Sequence, residues 1–596
     1  MGRKGSDAQR VSTVLNVHPT SDDQRLVGEI RQLFYKARAH RRPLVQRWNK
    51  NYRMLRNRYW VDARPNWMPS PQIPEIFPIV ASMVGWMTDQ RFRHEVTPAA
   101  LPFSPFANFF AGLGQDLETV MDSTWHVNKE ENEVTKMLWD ANIYGTGILK
   151  TTWDETLLHG QGDAISRRID PYTFYPDPAA RSMEDANYFI EARTMSVQEL
   201  DRKFPGSAKF FADGGFNEDT DEAPTQLDNS TSFPRANPGA ISPATSPRYG
   251  MPGSSRIHAT DSPGVTVLEA WLREHELYEA TYTDSEGNEQ KDLRVYDTWR
   301  VVVVAGNRIL MNEPVDELWA HGGQPYDRYV PHDLGEFWGL SLVELLSSPQ
   351  EAINRILAAL QHNVELVGNP VFLESTRSGI QRTQLTNKPG TRLTINDGGK
   401  AEWLQPPQVH QMMPELLRYY LQRMEAVSGL SAVTKGGSSG GRQAQGVVDA
   451  MQEAAFVRIR MALRNLEYTL RDSGYKKAAL ICENYTAPRM VAIVGPTGNK
   501  TSLALKGRHF YTPGPNGSTP MKFQLLVNAG SAGHTSRKVR EDQAVMLYTL
   551  GAIDEDALLE ALDFPNRQVV GERVKALKAQ GMMEPPGARQ RAQRTS

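Results

Sequence analysis

Between residues 348 and 485 a helix runs into a small β module, a second helix returns from it, a Gly/Ser loop follows, and one very long helix closes the stretch. That order constrains the chain more than any motif in it. Ser348-Pro349-Gln350-Glu351 predicts the start of the first helix, with serine as the cap, proline at the first helical position and Glu351 reaching back to the cap's N–H. Ile353, Ile356, Leu357, Leu360, Val364 and Val367 mark one apolar face, and Gly368 followed by Pro370 ends it. The β tip spans 369–408, with strands expected at Pro370–Glu374 and Thr391–Ile395 and turns at Lys388-Pro389-Gly390 and Asn396-Asp397-Gly398. Pro414 is expected to open the return helix, which turns Leu416, Leu417, Tyr420, Leu421, Met424 and Val427 inward and stops at Gly429. Each helix should be about 25–30 Å long at 1.5 Å per residue.

The loop that follows, from Thr434 through Lys435, Gly436, Gly437, Ser438, Ser439, Gly440 and Gly441 to Arg442, has almost no side chain able to pack, so it is expected to be mobile. The helix after it, about 442–485, carries Val448, Met451, Ala455, Ile459, Ala462, Leu466 and Leu470 as one stripe, with a bend expected at Ser473-Gly474. Two antiparallel helices at the base of a β tip, followed by a loose loop, describe a subunit that points something into a hole.

At 596 residues the chain is too long for one simple core, and a length prior gives about three or four domains. The single cysteine, Cys482, excludes a disulfide framework and a cysteine-rich metal site, and suits a reducing compartment. No apolar run approaches a membrane span, and the N-terminus lacks a signal-peptide core, so assembly in a cytoplasm is expected. Met1-Gly2 to Ser6 matches a myristoylation pattern, although the plainer reading is a loose tail. With 67 Lys+Arg against 69 Asp+Glu the net charge is −2, so any contact with DNA should be made without a tight grip on phosphates.

Residues 21–64 read as a basic helix: from Arg31 to Arg64 there are eleven Lys/Arg and one acid, Asp62. Leu44, Trp48, Tyr52, Leu55 and Tyr59 back that charge with an apolar face, leaving two readings open, a contact surface or a solvated one. Residues 65–78 hold five prolines and are expected to be extended. One helix is expected over about 107–144, burying Leu113, Leu117, Val120, Met121, Trp125, Val134, Met137, Leu138 and Ala141. It is capped by Gly145-Thr146-Gly147 ahead of a strand at Ile148–Trp153. Strands follow over 165–194 around a turn from Asp170 to Pro178, and Ser196-Val197-Gln198-Glu199 begins a short helix that stops at Phe204-Pro205-Gly206. Residues 213–263, rich in Gly, Pro, Ser, Asn and Asp, read as a mobile insertion. Val265–Leu272, Leu277–Thr283, Leu293–Val304 and Arg308–Met311 read as strands, as does much of 488–530, and 535–580 as three short helices.

No active site emerges. Gly495 to Ser502 departs from a phosphate loop twice, with only two residues between its glycines and an asparagine splitting Gly498 from Lys500, and a β-turn fits better. No Gly-x-Ser-x-Gly elbow, His-Glu-x-x-His helix or clustered histidine set is present, so no enzyme, cofactor or metal is expected.

Trp48 to Trp60 with the prolines after it, Asp170-Pro171 through Tyr175-Pro176-Asp177-Pro178, and above all Gly335-Glu336-Phe337-Trp338-Gly339-Leu340-Ser341 running into Pro349 to Asn354 resemble one family. That family is the portal, or head-to-tail connector, proteins of tailed bacteriophages, podovirus-type. The resemblance implies an α+β portal fold that assembles as a ring. It implies a wing at 1–335, stem helix 1 at 336–368, a clip at 369–408, stem helix 2 at 409–430 and a tunnel loop at 431–441. A long wing helix at 442–485, C-terminal wing strands at 486–534, crown helices at 535–582 and a basic tail at 583–596 complete it. The implied assembly is a dodecameric homo-oligomer at a unique capsid vertex of the virion, with double-stranded DNA passing through its channel during packaging and ejection. Its partners would be the terminase large subunit, then head-tail adaptor and tail proteins, with major capsid and scaffolding proteins around it. Lys435 to Arg442 would face the DNA channel; Arg377, Arg382, Lys388, Arg392 and Lys400 would form the clip's docking surface. Ile353, Ile356, Leu360, Val364, Leu417, Leu421 and Met424 would pack the stem. Two rival readings stand beside it: a nucleotide-driven DNA translocase using 495–502, and a capsid-associated scaffold without a channel.

Overall fold

The computed structural model describes residues 20–60, 68–88, 92–98, 107–211, 264–283, 289–315, 319, 322–368, 371–374, 396, 398, 401–404, 412–429 and 445–485. Beyond these it describes the five strands between 489 and 528 and residues 544–550, 558–559 and 562. The first element, α1 (Ser21–Leu55), is started by Thr20, whose side chain accepts from the Asp23 N–H while Asp23 reaches back to the Thr20 N–H. α2 (Ile76–Thr88) follows the proline-rich stretch, then β1 (Arg93–Pro98), α3 (Ala107–Val127) and α4 (Glu130–Tyr144).

Two sheets carry the middle of the chain. β2 (Gly147–Asp154) is the centre of a three-stranded sheet, flanked by β3 (Asp163–Ile169) and by β9 (Tyr326–Tyr329). The other sheet has five strands in sequence order. They are β4 (Phe174–Pro176), β5 (Tyr188–Met195), β6 (Val265–Thr283), β7 (Glu289–Ala305) and β8 (Arg308–Pro314). Two short helices, α5 (Val197–Lys203) and α6 (Ala208–Phe211), follow β5. The register of β6 on β7 runs unbroken from Val267↔Ala305 to Thr283↔Glu289, and a bulge lies between Val303 and Val304 where β8 joins.

α7 (Leu342–Gly368) leads into a ladder of β10 (Val371–Glu374) with β11 (Ala401–Leu404), and α8 (Met412–Ser428) returns to pack against α7. The longest helix, α9 (Gln445–Asn484), crosses the three-stranded sheet. After it come β12 (Arg489–Val494), β13 (Lys500–Leu505), β14 (Tyr511–Gly514), β15 (Gly517–Pro520) and β16 (Phe523–Asn528), the last pairing with β1. The largest core is built where α1, α2, α4, α7 and α9 converge, around Trp48, Ile79, Leu138, Leu346 and Leu466.

Several expectations are corrected. The 107–144 helix is two, because Lys129 takes a left-handed φ of 54° and Asn128 turns its amide onto Asp163 and Ala164. The buried positions expected for it are all buried, since the apolar period runs on through the break. Pro78 sits in the first turn of α2, an element the prolines hid, and the basic helix ends at Leu55. The stem helix starts at Leu342, so Pro349 lies inside it and Ser348 is no cap. Leu277–Thr283 belongs to the same strand as Val265–Leu272. β10 pairs with 401–404; Thr391–Ile395 lies outside the described residues, as do 213–263 and most of 535–580. Lys500 opens a strand antiparallel to β12, opposite Val494, which is not the strand-to-helix setting of a phosphate loop. α9 continues through Ser473 and Gly474 without a break.

Candidate functional site: the α7–α8 pair and its buried root

α7 and α8 share one apolar seam at their base. Ile353 and Met424 are fully buried there, with Leu357, Leu417, Tyr420, Leu421 and Val427 half-buried around them. Ile356 and Leu360 are half-buried further along α7. Toward the β10–β11 ladder the seam opens: Val364 and Val367 on α7, and Met412, Leu416 and Tyr419 on α8, are exposed. Leu416, expected to turn inward, is therefore exposed within one chain, and the apolar face expected on α7 continues uncovered through Val364 and Val367. Gly429 ends α8 as expected, at φ 73° with its N–H on the Glu425 carbonyl. The pair is fixed at one end and bare at the other.

The fixed end is made from backbone. Ser341 Oγ lies 2.8 and 2.7 Å from the carbonyls of Asn142 and Ile143 and accepts from the Glu344 N–H, capping α7 on the last turn of α4. Trp48 Nε1 donates to Tyr144 O at 2.9 Å and Asn51 Nδ2 to Ile143 O at 3.0 Å, so α1 and α7 satisfy carbonyls that the end of α4 leaves open. Gly145 closes α4 at φ 89°; a Cβ there would lie 2.6 Å from the Gly339 carbonyl carbon and closer still to its oxygen. A Cβ on Gly339 would in turn meet Gly145 O at 2.7 Å. The Gly339 N–H donates to Thr146 Oγ1 at 3.0 Å, and Trp48 packs edge-on against Trp338 and Tyr172. Along α7, Gln350 and Asn354 bind the chain at Ile73, Lys50 pairs with Glu351 at 2.7 Å, and Arg355 Nε donates to Tyr59 Oη.

Those contacts divide the basic run of α1. Arg41 is buried and donates to the carbonyls of Pro171, Tyr172 and Phe174, with its guanidinium 3.8 Å from the Tyr175 ring centre. Arg31 binds Asn307 and the Gly306 carbonyl, and Arg47 reaches Glu344 at 3.4 Å. Part of what reads as an outward basic face is thus internal wiring.

α9 is pinned to the sheet by groups that no motif announced. Ser473 Oγ meets Thr151 and Ser166 hydroxyls at 2.8 and 3.0 Å, and Gly474 lets His94 approach. The small pair expected to bend the helix instead brings it close. Lys477 pairs with Glu130 at 2.8 Å, and burial pushes the Glu130 carboxyl up while Lys477 opposes that shift. Lys476 holds Asp327 at 2.7 Å; burial still lifts Asp327 to about 6. Arg168 grips Asp140 from the side, and burial carries Asp140 to about 7. Burial, then Lys477, presses His94 down to about 3. Between the sheets, Lys150 bridges Glu191 and Glu269 at 2.8 and 2.6 Å. Burial would raise Glu191, yet Lys150 and Arg193 together hold it below the usual range.

The channel-loop residues Lys435 to Arg442 and the clip residues Arg377, Arg382, Lys388, Arg392 and Lys400 lie outside the described residues. No group of His, Cys, Asp and Glu among the described residues could hold a metal ion, and no described helix is long and apolar enough to cross a membrane.

Two helices rooted on buried backbone carry a β ladder at their far end. The family described as Phage P22-like portal protein matches residues 31–595. The chain belongs to this family. No curated protein matches it. The match spans nearly the whole portal protein, from within α1 to the last residues, so the mixed α+β build described above is that of a portal chain. Portal proteins are generally structural and non-enzymatic.

Proposed function

We propose that twelve copies of this portal protein close into a ring at one capsid vertex, and that double-stranded DNA enters and leaves the head through its channel. In this reading α7 and α8 are the stem, residues 369–408 the clip and 431–441 the tunnel loop. Residues 1–335 and 486–534 are the wing around α9, and 535–582 the crown. The clip receives the terminase large subunit during packaging and head-tail adaptor or tail proteins afterwards. Major capsid and scaffolding proteins surround the wing.

The observation that carries the reading is the α7–α8 pair. Its base is locked into the core by Ser341, Gly339 and Ile353, while Val364, Val367, Leu416 and Tyr419 stay bare toward the tip. Bare aliphatic and aromatic side chains on paired helices are costly in an isolated chain and useful between neighbours. A chain of net charge −2 also suits a conduit, because many phosphate contacts would retard sliding DNA.

Single-particle electron microscopy of the purified full chain, averaged end-on, tests this. Rings of about twelvefold symmetry with a channel wide enough for a duplex of roughly 20 Å are expected, a width set by duplex groove dimensions. A compact monomer or dimer at all concentrations overturns the reading.

A further inference from the structure

Besides the outer half of the α7–α8 pair, two further exposed surfaces among the described residues match each other. The first is the outer face of α9. Met461, Arg464, Tyr468, Arg471 and Tyr475 recur at alternating spacings of three and four, which puts them on one stripe about 21 Å long. The opposite side of the helix is buried through Ala462, Leu463, Leu466 and Leu470, whereas Met461, Tyr468 and Tyr475 are exposed. Arg471 lies 5.1 Å from the Tyr468 ring centre and 3.2 Å from Asp472. Arg464 is exposed and has no carboxylate within salt-bridge distance among the described residues. Tyrosine, methionine and arginine in a row are what protein interfaces concentrate.

The second is the outer half of the β6–β7 hairpin. β5 covers β6 only as far as Leu272, and β8 covers β7 only from Arg300 onward. From Glu274↔Thr298 to Thr283↔Glu289 the two strands pair with each other alone among the described residues, a two-stranded ribbon roughly 30 Å long. Such a ribbon is marginal by itself. Leu277 stands opposite Val295, with Leu293 two residues along on the same face, and all three are more than 60% exposed. At the inner end of that face Asp297 is about half exposed, hydrogen-bonded to His275 at 2.7 Å and 3.8 Å from Arg273.

We infer that the ribbon of one copy lies along the α9 stripe of the next, with Leu277, Val295 and Leu293 against Met461 and Tyr468 and with Asp297 facing Arg464. This inference rests on the ring proposed above. A ring joins two different surfaces of the same chain, head to tail, and so needs such a complementary pair. The charges are complementary: an exposed cation on the helix with no carboxylate in salt-bridge distance among the described residues, and on the ribbon a half-exposed carboxylate that still presents surface beside His275.

The test is a charge exchange on the full chain. Arg464→Asp and Asp297→Arg are made singly and together, and ring formation is followed by native mass spectrometry over a concentration series. Each single change should raise the concentration for half-assembly about tenfold, and the pair should return it to within about threefold of wild type. Circular dichroism of the monomers should be unchanged, because both side chains lie on the surface. Singles that assemble like wild type overturn the inference and leave the ring standing, as do impaired singles without rescue in the pair. A wild-type chain that forms no ring overturns both.

Discussion

Lys477 Nζ lies 2.8 Å from Glu130 Oε1, and neither side chain exposes more than 2% of its surface. The pair ties the long helix α9 to the first turn of α4. Losing one partner leaves the other charge buried and alone, which costs far more than losing both. Lys477→Met should therefore destabilise the monomer by about 3–5 kcal/mol, and the double change with Glu130→Gln should recover most of that. Urea unfolding of the four chains closes the cycle. Equal stability of the single and double variants would overturn the coupling.

Gly145 and Gly339 are fixed by each other. Gly145→Ala must hold alanine at φ 89° and force a Cβ into the Gly339 carbonyl, so a loss above about 3 kcal/mol, or no soluble protein, is expected. Gly335 has a similar φ of 81° with open space around it, and Gly335→Ala should cost only about 1–2 kcal/mol. Equal losses at the two positions would show that the close approach contributes nothing.

His94 is held neutral, with its pKa down at about 3. Between pH 6.5 and about 3 the unfolded chain therefore binds a proton here that the folded chain refuses. Stability attributable to His94 is fully present above pH 6.5 and is lost as the pH falls, by about 1.4 kcal/mol per unit across that window. His94→Gln should give a shallower decline than wild type from pH 6.5 to 4 in denaturant titrations. Parallel curves would contradict the assignment.

The helix pair predicts a split between folding and assembly. Ile353→Ala removes a fully buried side chain and should cost about 2–5 kcal/mol of monomer stability. Val364→Ser with Val367→Ser touches exposed positions and should leave monomer stability within about 0.5 kcal/mol. The same double change should weaken ring formation, read by sedimentation velocity. Rings unaffected by it would remove those valines from the interface.

Legibility in the sequence followed the kind of interaction. Apolar period found the buried face of 107–144 and of α9 from Ile459 to Leu470, because burial of side chains leaves a 3.6-residue imprint. It could not see the break at Lys129, where the apolar rhythm continues across a change of direction. Proline misled twice, at Pro78 and Pro349, since both a first turn and a tolerated interior site look like a boundary in sequence. The root of the stem was invisible for a different reason. Ser341, Trp48 and Asn51 bind main-chain carbonyls, and a carbonyl carries no sequence signal. Gly339 stands within the family-like string at 335–341, yet its reason, the close pass of Gly145, exists only in three dimensions.

Arg41 reads three carbonyls within four residues, those of Pro171, Tyr172 and Phe174. Through them it recognises the path of the neighbouring chain, and with it one side chain, the Tyr175 ring 3.8 Å from its guanidinium. Thr173 lies between those carbonyls and serves the turn differently, its hydroxyl donating to the Asp170 carbonyl at 2.8 Å. A change at 41 would not be conservative: lysine offers a point charge where a planar fork now spans the turn. One guanidinium thus makes the course of a whole turn depend on a single residue of α1.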